Sequence, residues 1–148
     1  MSEVLRWFVV VAVVAFAAVS GGCRSGEKSM DDGRSDRAKL QGTWRSQSVE
    51  VHGKSVTETQ TTIAFSGDRI TLTETVGTSE GTFTVDATKT PREITIQFKD
   101  ARTDWRGIYS LEGDLLRIRW TVTGQRPTGF ETKGHLGTIY TMRREESK

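Results

Sequence analysis

From residue 43 onward, apolar and polar side chains trade places every second residue along a series of short runs. In Arg69–Val76, Ile70, Leu72 and Val76 share one phase, while Arg69, Thr71, Thr73 and Thr75 take the other. Ile94, Ile96 and Phe98 alternate with Glu93, Thr95, Gln97 and Lys99. Leu116, Ile118, Trp120 and Val122 alternate with Arg117, Arg119 and Thr121. Successive side chains of an extended strand point to opposite faces, so this period predicts strands with one face in a core and one in water. No segment after Gln41 carries the 3.6-residue repeat of an amphipathic helix. Eight strands are expected: 43–51, 57–65, 69–76, 81–86, the run around 94–98, 105–111, 115–122 and 136–143. Turns such as His52-Gly53-Lys54, Ser66-Gly67-Asp68 and Glu112-Gly113-Asp114 separate them. The fold class is therefore all-β. Short sequential connections favour a small eight-stranded antiparallel up-and-down barrel, whose closure removes exposed edges. A Greek-key sandwich is the alternative.

The front of the chain is of a different kind. Trp7–Val19 is a run of 13 uncharged apolar residues. An apolar core of about 7–15 residues suits a secretory signal, whereas spanning a bilayer takes about 20. Ser20-Gly21-Gly22 and then Cys23 follow, an order that resembles a bacterial lipoprotein signal, in which the cysteine is acylated and becomes the new N-terminus. An ordinary signal peptide or an uncleaved anchor is the alternative. Cys23 is the only cysteine, and a lone thiol in an exported chain has no disulfide partner, which supports its use as a lipid acceptor. The division expected is a signal peptide over 1–22, a lipid-anchored flexible linker over 23–37 and the barrel over 38–145. The linker assignment rests on polar, Gly- and Ser-containing composition. Ala38–Gln41 is read as a single helical turn. The expected location is the cell envelope, facing the periplasm or the exterior.

Leu40-Gln41-Gly42-Thr43-Trp44 resembles the Gly-x-Trp opening of lipocalins and related barrels. That resemblance implies that Trp44 closes the barrel floor and that an arginine near the end of the last strand lies against it. Arg144, in phase with Tyr140 and Met142, is the arginine so implied. Further segments narrow the likeness: residues 40–54, Phe65–Asp68, Asp86–Pro91, Gly107–Leu116, and Arg126-Pro127 with Phe130. Together they look like a family of small lipocalin-like domains common in planctomycete bacteria, often attached to export signals. The likeness implies a fold and a habitat, and no chemistry.

Composition argues against several functions. Lys and Arg number 21 against 19 Asp and Glu, too balanced for the positive field that nucleic acid requires. No phosphate loop, nucleophile elbow or dinucleotide fingerprint occurs. His52 and His135 both flank glycine in expected turns, away from clustered carboxylates, so no metal, cofactor or enzymatic activity is expected. Glu74 shares the inward phase of Ile70 and Leu72. With Ser46, Ser48 and Tyr109 it forms the candidate lining for a small apolar or amphipathic ligand, unless a bulge shifts register or the carboxylate sits in water at the mouth. An inward Glu74 would need a partner, with an arginine as one candidate. The competing role is a filled barrel that contacts another envelope component. Arg45, Arg69, Arg117 and Arg119 are read as a solvated basic outer face. The domain is expected to be monomeric, held to a membrane by its N-terminus.

Overall fold

The computed structural model describes residues 28–56, 60–122, 124–131 and 137–146. Cys23, the signal segment and His135 therefore lie outside the described residues. A helix, α1 (Lys28–Leu40), precedes nine strands: β1 (Gly42–Val51), β2 (Lys54–Val56), β3 (Thr62–Ser66), β4 (Arg69–Glu74), β5 (Gly77–Asp86), β6 (Arg92–Phe98), β7 (Trp105–Glu112), β8 (Leu115–Thr121) and β9 (Thr138–Arg144). Each strand from β3 onward pairs antiparallel with the next, and β1 pairs with β9. The sheet thus meets itself as a closed up-and-down barrel. Of the nine strands, β2 and β3 occupy one position, because β2 pairs with the second half of β1 and β3 with its first half. Eight positions close the ring. Among the described residues no helix is long and apolar enough to cross a membrane.

Alternation sets the interior. Trp44, Ile63, Ile70, Leu72, Phe83, Ile94, Ile96, Leu116, Ile118 and Met142 are all buried. Each such side chain contributes about 1.5–3 kcal/mol by leaving water. Gly81 lets β5 approach β6: a Cβ there would sit 2.2 Å from the Gln97 carbonyl oxygen, closer than any side chain tolerates, so the sheet curves at that point.

Alternation fails at one place in β1. The register against β9 shifts between Ser46 and Ser48, so Gln47 is an extra residue and the phase inverts. Trp44 before it and Val49 after it both point inward. Ser48 is turned outward and exposed, which corrects its placement among the lining residues. Val76 and Val122 are also corrected. Both lie beyond the ends of their strands, 94% and 56% exposed.

Residues 28–37, expected as part of the tether, belong to the helix α1, which runs on into the expected helical turn and ends at Leu40. Polar composition conceals this because the helix needs no apolar stripe. Its last turn is instead fastened to the barrel through its terminal carbonyls, groups that have no partner within a helix. Gln41 Nε2 donates to the Arg37 carbonyl, Trp44 Nε1 to the Leu40 carbonyl at 2.8 Å, and Arg144 Nη2 to the Lys39 carbonyl. Arg37 and Lys39 stand in that same turn, where positive charge suits the helix dipole.

The outer face is not uniformly wet either. Ile108, Arg119 and Ile139 are cross-strand neighbours on β7, β8 and β9. All three are buried, Arg119 at only 5% exposure. The stretch after β8 lies over them: Arg119 Nη1 donates to the Gly129 carbonyl at 2.5 Å. Arg126 fastens the same stretch, donating to the carbonyls of Ile94 and Gly107 and to Thr95 Oγ1, with Glu93 3.2 Å away. Arg119 is therefore no part of a solvated basic surface. Arg45 pairs with Glu145, Arg117 lies over the Phe130 ring, and Arg69 is exposed.

Candidate functional site

Strand direction gives the barrel two unlike ends. At one end lie Gly42, Gly67, Asp86, Arg92, Asp114 and Arg144, closed by α1; at the other lie Val51, Glu74, Trp105, Thr121 and Thr138.

The closed end is polar but fully engaged. The Arg144 guanidinium sits 4.2 Å from the centroid of the Trp44 ring, a contact of about 0.5–2 kcal/mol. Its nitrogens also reach the Gln41 and Lys39 carbonyls and Asp114 Oδ1. Tyr109, placed by the sequence among the lining residues, is buried at this end and donates its hydroxyl proton to Asp36 Oδ2 at 2.8 Å. Arg92 pairs with the same carboxylate at 3.1 Å. Burial and the Asp36 carboxylate push the Tyr109 phenol well above its ordinary pKa. The space left at this end is a shallow surface groove of about 440 Å³ outside the helix, past Arg34, Arg37, Gln41 and Asp68.

The open end holds a cavity of about 270 Å³. Val51, Trp105, Trp120, Val122 and Tyr140 supply most of its apolar wall, and Glu74 is its one carboxylate. The aromatic rings form a continuous file: Phe98 to Trp105 at 4.8 Å between centroids, Trp105 to Trp120 at 5.8 Å, and Trp120 to Tyr140 at 4.9 Å. Offset and edge contacts of this kind hold each ring in place. Glu74 does face inward at the mouth, as its phase suggests. Its partner is Tyr140 rather than an arginine: the Tyr140 hydroxyl donates to Glu74 Oε1 at 2.8 Å. Burial, reinforced by that carboxylate, raises the Tyr140 pKa well above the usual value. Among the described residues no Lys, Arg or His forms an ion pair with Glu74.

The four candidate lining residues therefore do not meet. Glu74 is at the mouth, Tyr109 at the closed end, and Ser48 is outside. Ser46 accepts a hydrogen bond on Oγ from the Thr61 amide at 2.9 Å, tying β1 to the segment before β3. Trp105, Trp120 and Tyr140 line the mouth, although none of them is among those four candidates. Their signal was present: three aromatics in the inward phase near strand ends that converge on one rim. A broader surface groove of about 730 Å³ runs past Arg45, Ser46, Gln47, Arg143 and Glu145. It follows the bulged seam between β1 and β9, and Arg45, Glu145 and Arg144 within it are already paired. Among the described residues no cluster of His, Cys, Asp or Glu is arranged to hold a metal ion. No protein-family model, curated protein or solved structure matches this chain.

Proposed function

We propose that the chain is an exported, lipid-anchored envelope protein of the lipocalin-like kind, whose barrel mouth holds a small amphipathic molecule. The observation that carries this reading is the cavity of about 270 Å³ at the open end, walled by Trp105, Trp120, Val51 and Val122 with a single carboxylate. Pockets that take small molecules are mostly apolar with a few placed polar groups, and this one has that composition at a volume just below the roughly 300 Å³ at which their usual range begins. The depth of the barrel is filled by Trp44, Phe83, Ile63 and Met142, so the ligand is a short one seated in the mouth. Anchorage rests on the sequence of residues 7–23 alone.

Mass spectrometry of the protein purified from its native membrane tests both halves. The expected result is an N-terminal Cys23 carrying acyl chains and a co-purifying small molecule that Trp105→Ala abolishes. A Cys23→Ser variant that still partitions with membranes would argue against the anchor. A second reading, a module that docks on another envelope protein, draws on the rim. Among the described residues the exposed large apolar side chains are Val56, Val76 and Val122, and all three stand at the open end. Release of the small molecule without change in any protein contact separates the two.

A further inference from the structure

Charge decides what the mouth can hold. Glu74 is partly buried, and its Oε1 is taken by the Tyr140 hydroxyl. Its charge is matched by no described cation: His52, which also lines the cavity, makes no ion pair with it. This is unlike Asp36 of α1, the carboxylate buried at the closed end, which has Arg92 at 3.1 Å. A ligand that fills the cavity displaces water from the Glu74 side of it. A ligand carboxylate or phosphate would then face Glu74 at short range in a poorly solvated site, which is repulsive. A neutral apolar ligand would leave a carboxylate desolvated and uncompensated, which also costs free energy. A ligand ammonium does neither. It donates to the carboxylate in a charge-assisted hydrogen bond, beside rings whose faces attract cations.

From this juxtaposition of Glu74 with Trp105, Trp120 and Tyr140 we infer that the ligand of the mouth is a small amphipathic amine. Its ammonium pairs with Glu74, and its apolar body lies against Trp105, Val51 and Val122. The inference rests on the mouth being a ligand site, and it adds the sign of the ligand's charge. It also explains why the rim is apolar while its one carboxylate lies inside: the body is held by contact and the head by charge.

The test uses three probes that share a 2-phenylethyl body, 2-phenylethylamine, 2-phenylethanol and 3-phenylpropanoate, titrated at neutral pH into the full chain in detergent. Binding is read from tryptophan fluorescence, since Trp105 and Trp120 line the site. The amine is expected to bind about tenfold more tightly than the alcohol, and the carboxylate most weakly. Glu74→Gln keeps an acceptor for Tyr140 and removes the charge, so it should weaken the amine, strengthen the alcohol and the carboxylate, and so erase the amine's advantage. Val51→Lys puts a resident ammonium on the wall of the cavity that Glu74 also lines and should abolish the preference by another route. Binding of the alcohol or carboxylate as tight as the amine's, or a preference that survives Glu74→Gln, overturns the inference while leaving the mouth as a ligand site. Failure of all three probes to bind overturns the mouth reading itself.

Discussion

Each end of this barrel holds a buried tyrosine whose hydroxyl donates to a carboxylate at 2.8 Å, Tyr109 to Asp36 at the closed end and Tyr140 to Glu74 at the mouth. The two pairs use the same chemistry in different company. Asp36 also has Arg92, and Lys39 lies 4.0 Å away, so its charge is answered from two sides. Glu74 has the phenol and an aromatic wall. Where a carboxylate, a phenol and a guanidinium come together, the charges are compensated and the result is a clamp. Where the guanidinium is missing, the same motif leaves a charge for something else to match. The difference between the two ends is the pair of cations, Arg92 and Lys39, beside Asp36.

Substitutions at the two ends should therefore behave unequally. The largest effect is expected for Trp44→Ala, which empties the floor and unseats Arg144 and the end of α1. A loss of about 3–5 kcal/mol in urea denaturation is expected, and a loss under about 1 kcal/mol would show that the closed end is no keystone. Asp36→Ala leaves the Tyr109 hydroxyl without its acceptor and removes the anion beside Arg92. It should cost about 1–3 kcal/mol by the same measurement, and an unchanged midpoint would break the clamp description.

Alkali probes both ends at once, because the chain has two tyrosines, one at each. Both phenols are held protonated by burial and a neighbouring carboxylate. The folded pKa lies above the unfolded one, so this stabilisation is fully present below about pH 10 and is lost as pH rises beyond it. Stability should fall by about 1.4 kcal/mol per pH unit for each tyrosine once the unfolded chain ionises. Tyr109→Phe and Tyr140→Phe should each halve that slope. Tyrosinate absorbance that develops in the folded protein, before the unfolding transition, would contradict it. The smallest effect belongs to Glu74→Gln. The amide still accepts from Tyr140, so stability should move by under about 0.5 kcal/mol, and a larger loss would make the mouth a second clamp.

The barrel was legible from alternation because a side chain's phase along a strand survives anything except an insertion. Trp44 and Arg144 come together because each is in the inward phase at the same end of neighbouring strands. Ser48 was misplaced because Gln47 is an insertion, and nothing in Arg45-Ser46-Gln47-Ser48 marks which residue is the extra one. The helix was missed for a different reason. It is held by Gln41, Trp44 and Arg144 bonding to its carbonyls, and backbone acceptors have no signature in a sequence. The covered outer face did leave a trace. Ile108 and Ile139 each sit out of phase beside an inward tyrosine, and apolar residues on both faces of a strand mean that both faces are buried. The mouth was half legible. Phase turned Glu74 inward, but only the closing of the ring brings Tyr140, five strand positions away along the sheet, within reach of it.

The way the chain enters the barrel has a consequence for orientation. Its last helical turn is riveted to the base, through Trp44 and Arg144, before the first strand begins. Any hold on the N-terminus is therefore transmitted to the base, and the rim is left at the opposite pole. A protein moored in this way stands like a cup on its foot, with its opening presented to whatever passes rather than pressed against the surface that carries it.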